Sequence, residues 1–273
     1  MGDQRAIGVF DSGIGGLTVL KEIQKRLPHE SLVYLGDTAR VPYGAKSKDT
    51  IIRYSINNTR HLLNEGVKML VVACNTASAY ALEELEKMSS APVIGVVEGG
   101  VMAAVRATSG KVGVIGTEAT VRSGKYVTEI LKRIPGAEIV TKPCPLFVAL
   151  AEEGWTDNEV AHAVAKEYLK DMEGKIDTLV LGCTHYPVLK NSIRYALGEN
   201  VKLIDSAEET SRLVEEKLRV LGLGADADAD NPALIRFLVT DSPERNLQLG
   251  RRMLGDGIKI DRAELVDITW GDK

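Results

Sequence analysis

Short apolar runs alternate along the chain with longer stretches in which apolar residues return every three or four positions, and these two periods mark strands and helices. Runs rich in Val, Ile and Leu predict strands at Ala6–Phe10, Leu32–Leu35, Met69–Ala73 and Val93–Val97, and a second series at Val112–Ile115, Glu138–Thr141, Thr178–Leu181 and Val201–Ile204. Helical spacing predicts Lys48–Asn64, Thr76–Lys87, Ala119–Arg133 and Asn158–Asp171. Strands and helices that alternate in this way form beta-alpha-beta units around mainly parallel sheets. The expected fold class is α/β.

The two series are alike. Each opens on a similar strand, Ile7–Phe10 and Val112–Ile115, and each sets a cysteine after a later strand, Cys74 in VVACNTASAY and Cys183 in LVLGCTHYPVL. The opening strands are offset by 105 residues and the cysteines by 109, a nearly constant shift that suggests an internal duplication. A chain of 273 residues exceeds a typical single core, so two pseudo-symmetric halves are expected. The acidic, glycine-rich Gly222–Pro232 reads as a solvated loop between a helix and a further strand at Ile235–Val239. That later material is expected to pack back on the first half, which makes the second half an insertion.

Composition narrows the partners. The chain is 44% hydrophobic and 26% charged with a net charge of -4, and without a dense Lys/Arg tract nothing steers it toward nucleic acid or an anionic membrane. A small polar molecule is the expected ligand. The N-terminus shows neither a signal peptide nor a membrane span, so a cytoplasmic location is expected. There the three cysteines, Cys74, Cys144 and Cys183, stay reduced and serve either packing or chemistry.

Ligands of open parallel sheets bind at the carboxyl ends of the strands. The first polar residues after the predicted strands are Asp11-Ser12, Asp37-Thr38, Cys74-Asn75-Thr76, Glu98, Thr117, Cys183-Thr184-His185 and Asp205. Thr38, Thr117 and Asp205 are assigned to helix capping, which their residue types favour. Cysteine is a poor cap. At a helix N-terminus it is expected to ionise more readily than a free thiol, because amide groups and the helix dipole stabilise the anion. Two such thiols on opposite walls of a cleft suit the inversion of a carbon stereocentre, in which one group removes a proton from one face and the other delivers one to the opposite face. Asp11 and His185 are positioned to orient or charge the nearer thiol, and Ser12, Asn75, Thr76 and Thr184 offer donors and acceptors to an amino acid's carboxylate and ammonium.

Other chemistries fit less well. FDSGIGGLTV matches the dinucleotide fingerprint only in part, with Thr18 at the third glycine position and Asp37 lying 24 residues after Gly13. Its glycines are read as allowing a tight turn or a close approach to a small ligand. GxxxxGK[ST], CxxC and HExxH are all absent, so neither a nucleotide triphosphate nor a metal is expected. A redox pair of thiols, or a ligand-binding protein, stays open as the reading from another class. Val41-Pro42-Tyr43-Gly44 is a turn placed to fold over the cleft, and Cys144, between two prolines, is assigned to packing.

Five ordered blocks, GVFDSGIGGLTV at Gly8, YLGDTARVPYG at Tyr34, VVACNTASA at Val71, PCPLFVALAEEG at Pro143 and LVLGCTHYP at Leu179, together resemble the bacterial glutamate racemases of the aspartate/glutamate racemase family. The resemblance implies a cofactor-independent isomerase that interconverts L- and D-glutamate and supplies the D-isomer to peptidoglycan synthesis. It carries the two opposed bases to Cys74 and Cys183 and substrate contacts to Asp11, Ser12, Tyr43, Gly44, Asn75, Thr76, Thr184 and His185. It also brings in Glu152 and Asp37 as assisting acids. It implies glutamate as partner, with no cofactor, metal, nucleic acid or membrane, and leaves a homodimer open. The implied domains are residues 1–97 plus 206–273 and an inserted 98–205, with the site between them. Val41 departs from a common cysteine, and Ala149 and Ala151 from a common Pro and Val, changes expected at the rim of the cleft. Spacing does not measure pocket volume, so an aspartate-type racemase remains the alternative within the family.

Overall fold

The computed structural model describes residues 2–226, 233–254 and 260–268. Its strands are β1 (Ile7–Asp11), β2 (Leu32–Gly36), β3 (Met69–Val72), β4 (Val93–Gly95), β5 (Lys111–Gly116), β6 (Glu138–Pro143), β7 (Thr178–Gly182), β8 (Lys202–Ile204), β9 (Ile235–Val239) and β10 (Glu264–Leu265). They form two sheets, ordered β10-β9-β2-β1-β3-β4 and β6-β5-β7-β8, and every pairing is parallel. The order β2-β1-β3-β4 of the first sheet thus recurs as β6-β5-β7-β8 in the second. The α/β architecture with two similar halves matches the sequence reading.

Helices cover both faces of each sheet, which explains why the inner strands read as unbroken apolar runs. Along β1, Ile7 and Val9 enter one core with Tyr34, Val71 and Val239, while Phe10 enters the core on the other face with Leu35, Leu70, Val72 and Leu238. In the second sheet Leu179 and Leu181 pack on one side, and Val112, Val114 and Val180 on the other. β9 adds to the outer edge of β2, pairing Ile235 with Leu32, so the chain returns to the first sheet after completing the second.

The helices are α1 (Leu17–Arg26), α2 (Lys48–Asn64), α3 (Asn75–Met88), α4 (Val96–Ala107), α5 (Glu118–Arg122), α6 (Lys125–Arg133), α7 (Leu146–Glu153), α8 (Glu159–Leu169), α9 (Lys190–Leu197), α10 (Ala207–Leu221) and α11 (Pro243–Leu254). Two differ from expectation. The run Val93–Val97 is strand only to Gly95, and Val96 and Val97 open α4, because a short, largely buried apolar run fits either period. The expected boundary between residues 97 and 98 therefore falls inside a helix. Ala119–Arg133 is two helices, broken at Gly124, whose φ of 65° only glycine adopts without strain. Of the expected loop Gly222–Pro232, residues 222–226 lack regular structure and 227–232 lie outside the described residues. Among the described residues no helix is long and apolar enough to cross a membrane.

Candidate active site

The carboxyl ends of the two sheets face one small cavity, of about 20 Å³, between the halves. Ser12, Tyr43, Gly44, Cys74, Asn75 and Thr76 line it from the first half, and Cys183, Thr184 and His185 from the second. Asp11 and Glu152 stand behind this wall, each touching residues that form it. Val41, Pro42, Thr117 and Val148 complete the lining. Val148 carried no polar signal, and Thr117 was assigned only to capping.

The halves meet closely here because two glycines have no side chain. A Cβ on Gly15 would lie 2.4 Å from Thr184 Oγ1 and 2.8 Å from His185 Nδ1, and one on Gly44 would lie 2.4 Å from Thr117 Cβ. The glycine-rich FDSGIGGLTV therefore serves contact between halves, and its turn closes when the Gly16 amide donates to Asp11 Oδ2 at 2.9 Å. Thr76 from the first half and Thr117 and Thr120 from the second join in a triangle of hydroxyls, 2.9 to 3.0 Å on a side.

The thiols have different surroundings. Cys74 is the N-cap of α3, and its sulfur accepts from the Ala77 amide at 3.5 Å. The expected lowering of its pKa does not hold. Burial, reinforced by the charge of Asp11, pushes the thiol up to about 12 against the hydrogen bonds from Ala77 and Ser12. Cys183 does not open an α-helix at all: a 3-10 turn, Tyr186–Leu189, with a proline in its first turn, intervenes before α9. Its partner is instead His185, whose Nδ1 lies 3.9 Å from the sulfur.

His185 is buried, and burial alone would lower its pKa, but the Cys183 sulfur, the Glu152 carboxylate and the charge of Asp11 together raise it to about 10. Its Nε2 approaches Glu152 Oε1 at 3.4 Å, an ion pair off the ideal hydrogen-bond axis, and His185 in turn holds the Glu152 carboxyl below its ordinary range. A cation thus stands beside the Cys183 sulfur at neutral pH, a placement that would favour any negative charge on it. Glu152, His185 and Cys183 make one line of partners.

Other polar atoms are left without partners. Asp11 is fully buried, and its Oδ2 takes the Gly16 amide and, at 3.4 Å, the Thr184 hydroxyl, while Oδ1 has none. Asn75 Nδ2 is likewise buried and unpaired. An unpaired acceptor and an unpaired donor beside one cavity match the ammonium and carboxylate of an amino acid.

Several expected residues do other work. Asp37 is absent from the lining and accepts from Tyr43, Arg40 and Thr240, so it anchors Tyr43 from behind. The Tyr43 hydroxyl donates to Asp37 and accepts from Asn58 Nδ2 at 2.9 Å, and neither partner lines the cavity. Thr117 caps α5 as assigned, and Asp205 accepts from the Ala207 amide at the start of α10. Thr38 caps no helix and exchanges hydrogen bonds with the Asp241 backbone. Val41 belongs to the cavity wall rather than the rim, Ala149 is exposed, and Ala151 sits in the core of the second half. Among the described residues no cluster of His, Cys, Asp and Glu is arranged to hold a metal ion.

Cys144 is packed with Phe147 and Leu150, outside the cavity lining, and burial pushes its thiol up to about 12. The Cys144→Ala substitution is expected to leave turnover within about twofold and to cost about 1 kcal/mol of stability, the scale of a small buried deletion. Steady-state rates and a thermal melt check both.

Residues 7–214 match the family model of Asp/Glu/hydantoin racemases. The chain belongs to that family. Among curated racemases it is 55% identical over 253 residues to the glutamate racemase of Geobacter metallireducens, covering 92% of this chain and 93% of that one. Its fold superposes on a glutamate racemase from Francisella tularensis solved with D-glutamate, with a TM-score of 0.90 and 39% identity over 97% of this chain and 98% of that one. A Picrophilus torridus aspartate racemase shares the racemase fold at 17% identity and a TM-score of 0.57, covering 81% of this chain and 100% of that one.

Proposed function

We propose that this racemase is a cofactor-independent glutamate racemase in which Cys74 and Cys183 act on opposite faces of the α carbon. The supporting observation is that one thiol from each half lines a single cavity, each with its own electrostatic partners. One sulfur, as thiolate, takes the α proton. The other, as thiol, gives its proton to the opposite face of the resulting carbanion. The C–H bond broken is replaced by the one formed, and the two sulfurs exchange protonation states at each inversion. In the resting enzyme burial keeps the proton on Cys74, and Cys183 lies beside His185.

Asp11 Oδ1 would accept from the ammonium, and Asn75 Nδ2 with the Thr76 and Thr184 hydroxyls would hold the carboxylate. The cavity has room for about one water, so an amino acid is admitted only when the halves part. Partners suited to proton transfer around each sulfur, and free groups suited to a zwitterion, favour this reading over thiol redox. The high identity to glutamate racemases, against fold-level likeness to an aspartate racemase, favours glutamate. Residues 98–205 act as the inserted half, and the product serves peptidoglycan synthesis in the cytoplasm.

Polarimetry tests the assignment. With no cofactor added, L-glutamate is expected to lose its rotation while L-aspartate keeps it, and in deuterated water each inverted α carbon should gain deuterium. Unchanged rotation of L-glutamate would sink the proposal.

A further inference from the structure

Asn75 reaches across the boundary between the halves. Its Oδ1 accepts from the Tyr126 hydroxyl at 2.6 Å, and its Nδ2 has no partner. Both residues are buried, 3% and 2% exposed. Tyr126 belongs to α6 of the second half, and Gly100 on α4 leaves space for its hydroxyl, since a Cβ there would lie 2.8 Å away. Among the described residues the Tyr126 hydroxyl makes this one hydrogen bond, so reversing the amide would let the phenol oxygen accept but would leave its buried proton without an acceptor, and the contact favours one orientation of the Asn75 amide. Its oxygen faces Tyr126, and its NH₂ is left free on a residue that lines the cavity. Burial also pushes the Tyr126 hydroxyl well above its ordinary range, which keeps it a donor throughout the working pH range.

We propose that Tyr126 is a positioning residue: it locks the Asn75 amide with its NH₂ toward the substrate carboxylate. The inference rests on the glutamate racemase reading. In the reversed orientation a carbonyl would face the carboxylate and repel it. Because the lock joins the two halves, the carboxylate site is complete only when they are together.

The test is a double-mutant cycle with Tyr126→Phe and Asn75→Ala, read as KM and kcat in both directions, with a thermal melt on each protein. Losing the lock weakens ground state and transition state alike, so Tyr126→Phe is expected to raise KM about tenfold and leave kcat within about twofold. In the Asn75→Ala background the same change is expected to add less than about twofold. Gly100→Ala, which displaces the hydroxyl without altering Tyr126, is expected to raise KM in the same way and serves if the phenylalanine variant unfolds. An unchanged KM, or the same increase in both backgrounds, would overturn the lock and reduce Tyr126 to core packing. Absence of turnover in the parent enzyme would strike the glutamate assignment itself.

Discussion

Cys74→Ala and Cys183→Ala are each expected to cut racemisation of glutamate by at least about a thousandfold, within the range that a positioned acid or base contributes. Inversion needs proton transfer on both faces in the same turnover, so losing one sulfur is as damaging as losing the other. Neither thiol substitutes for its counterpart, because they come from different sheets and line the cavity from different halves. Truncating one small buried side chain leaves the cores on either sheet in place, so the circular dichroism spectrum is expected to persist. Polarimetry at high enzyme concentration checks the loss. Racemisation by either variant at more than about a tenth of the parental rate would refute the two-thiol mechanism.

His185→Asn is expected to lower kcat/KM by about a hundredfold, the scale of removing a preorganised group at a site of developing charge. The pH profile separates this role from packing. His185, raised to about 10, is protonated through neutrality. A raised pKa contributes stability fully below the ordinary value of about 6.5 and loses it as pH climbs through about 10. Glu152 has the opposite sign: its depressed pKa contributes above the ordinary carboxylate range and is lost as acid protonates it. These are two ends of one ion pair and are counted once. Glu152→Gln takes away part of what keeps the proton on His185, so the alkaline limb of kcat/KM is expected to move to lower pH. An alkaline limb unmoved by that substitution would argue against the coupling.

Much of this was legible in the sequence, for physical reasons. Lys48–Asn64 and Ile235–Val239 match their elements residue for residue, since a long amphipathic period has one solution and a short, mainly apolar run set between Pro232 and the polar Thr240-Asp241 is too short for a helix. Polar residues following strands located Cys74, Thr184 and His185 at the cavity. Thiol acidity was misjudged because a dipole argument can be made from sequence, whereas desolvation depends on packing by residues far along the chain. Glu152 and His185 are 33 positions apart and Tyr126 and Asn75 are 51 apart. The first pairing appears only once the second half has folded, and the other only once the two halves are brought face to face.

The repeated strand order has a geometric corollary. Two copies of an L-polypeptide superpose by rotation and translation, whereas the two forms of an amino acid are related by reflection. Duplication can therefore supply a sulfur on each side, but it cannot supply mirror-image surroundings for them. Asp11 and Ser12 around one sulfur, and His185 with Glu152 around the other, are the chiral residue of that mismatch. Forward and reverse turnover should accordingly respond unequally to the same substitution, even though the equilibrium between enantiomers stays at one.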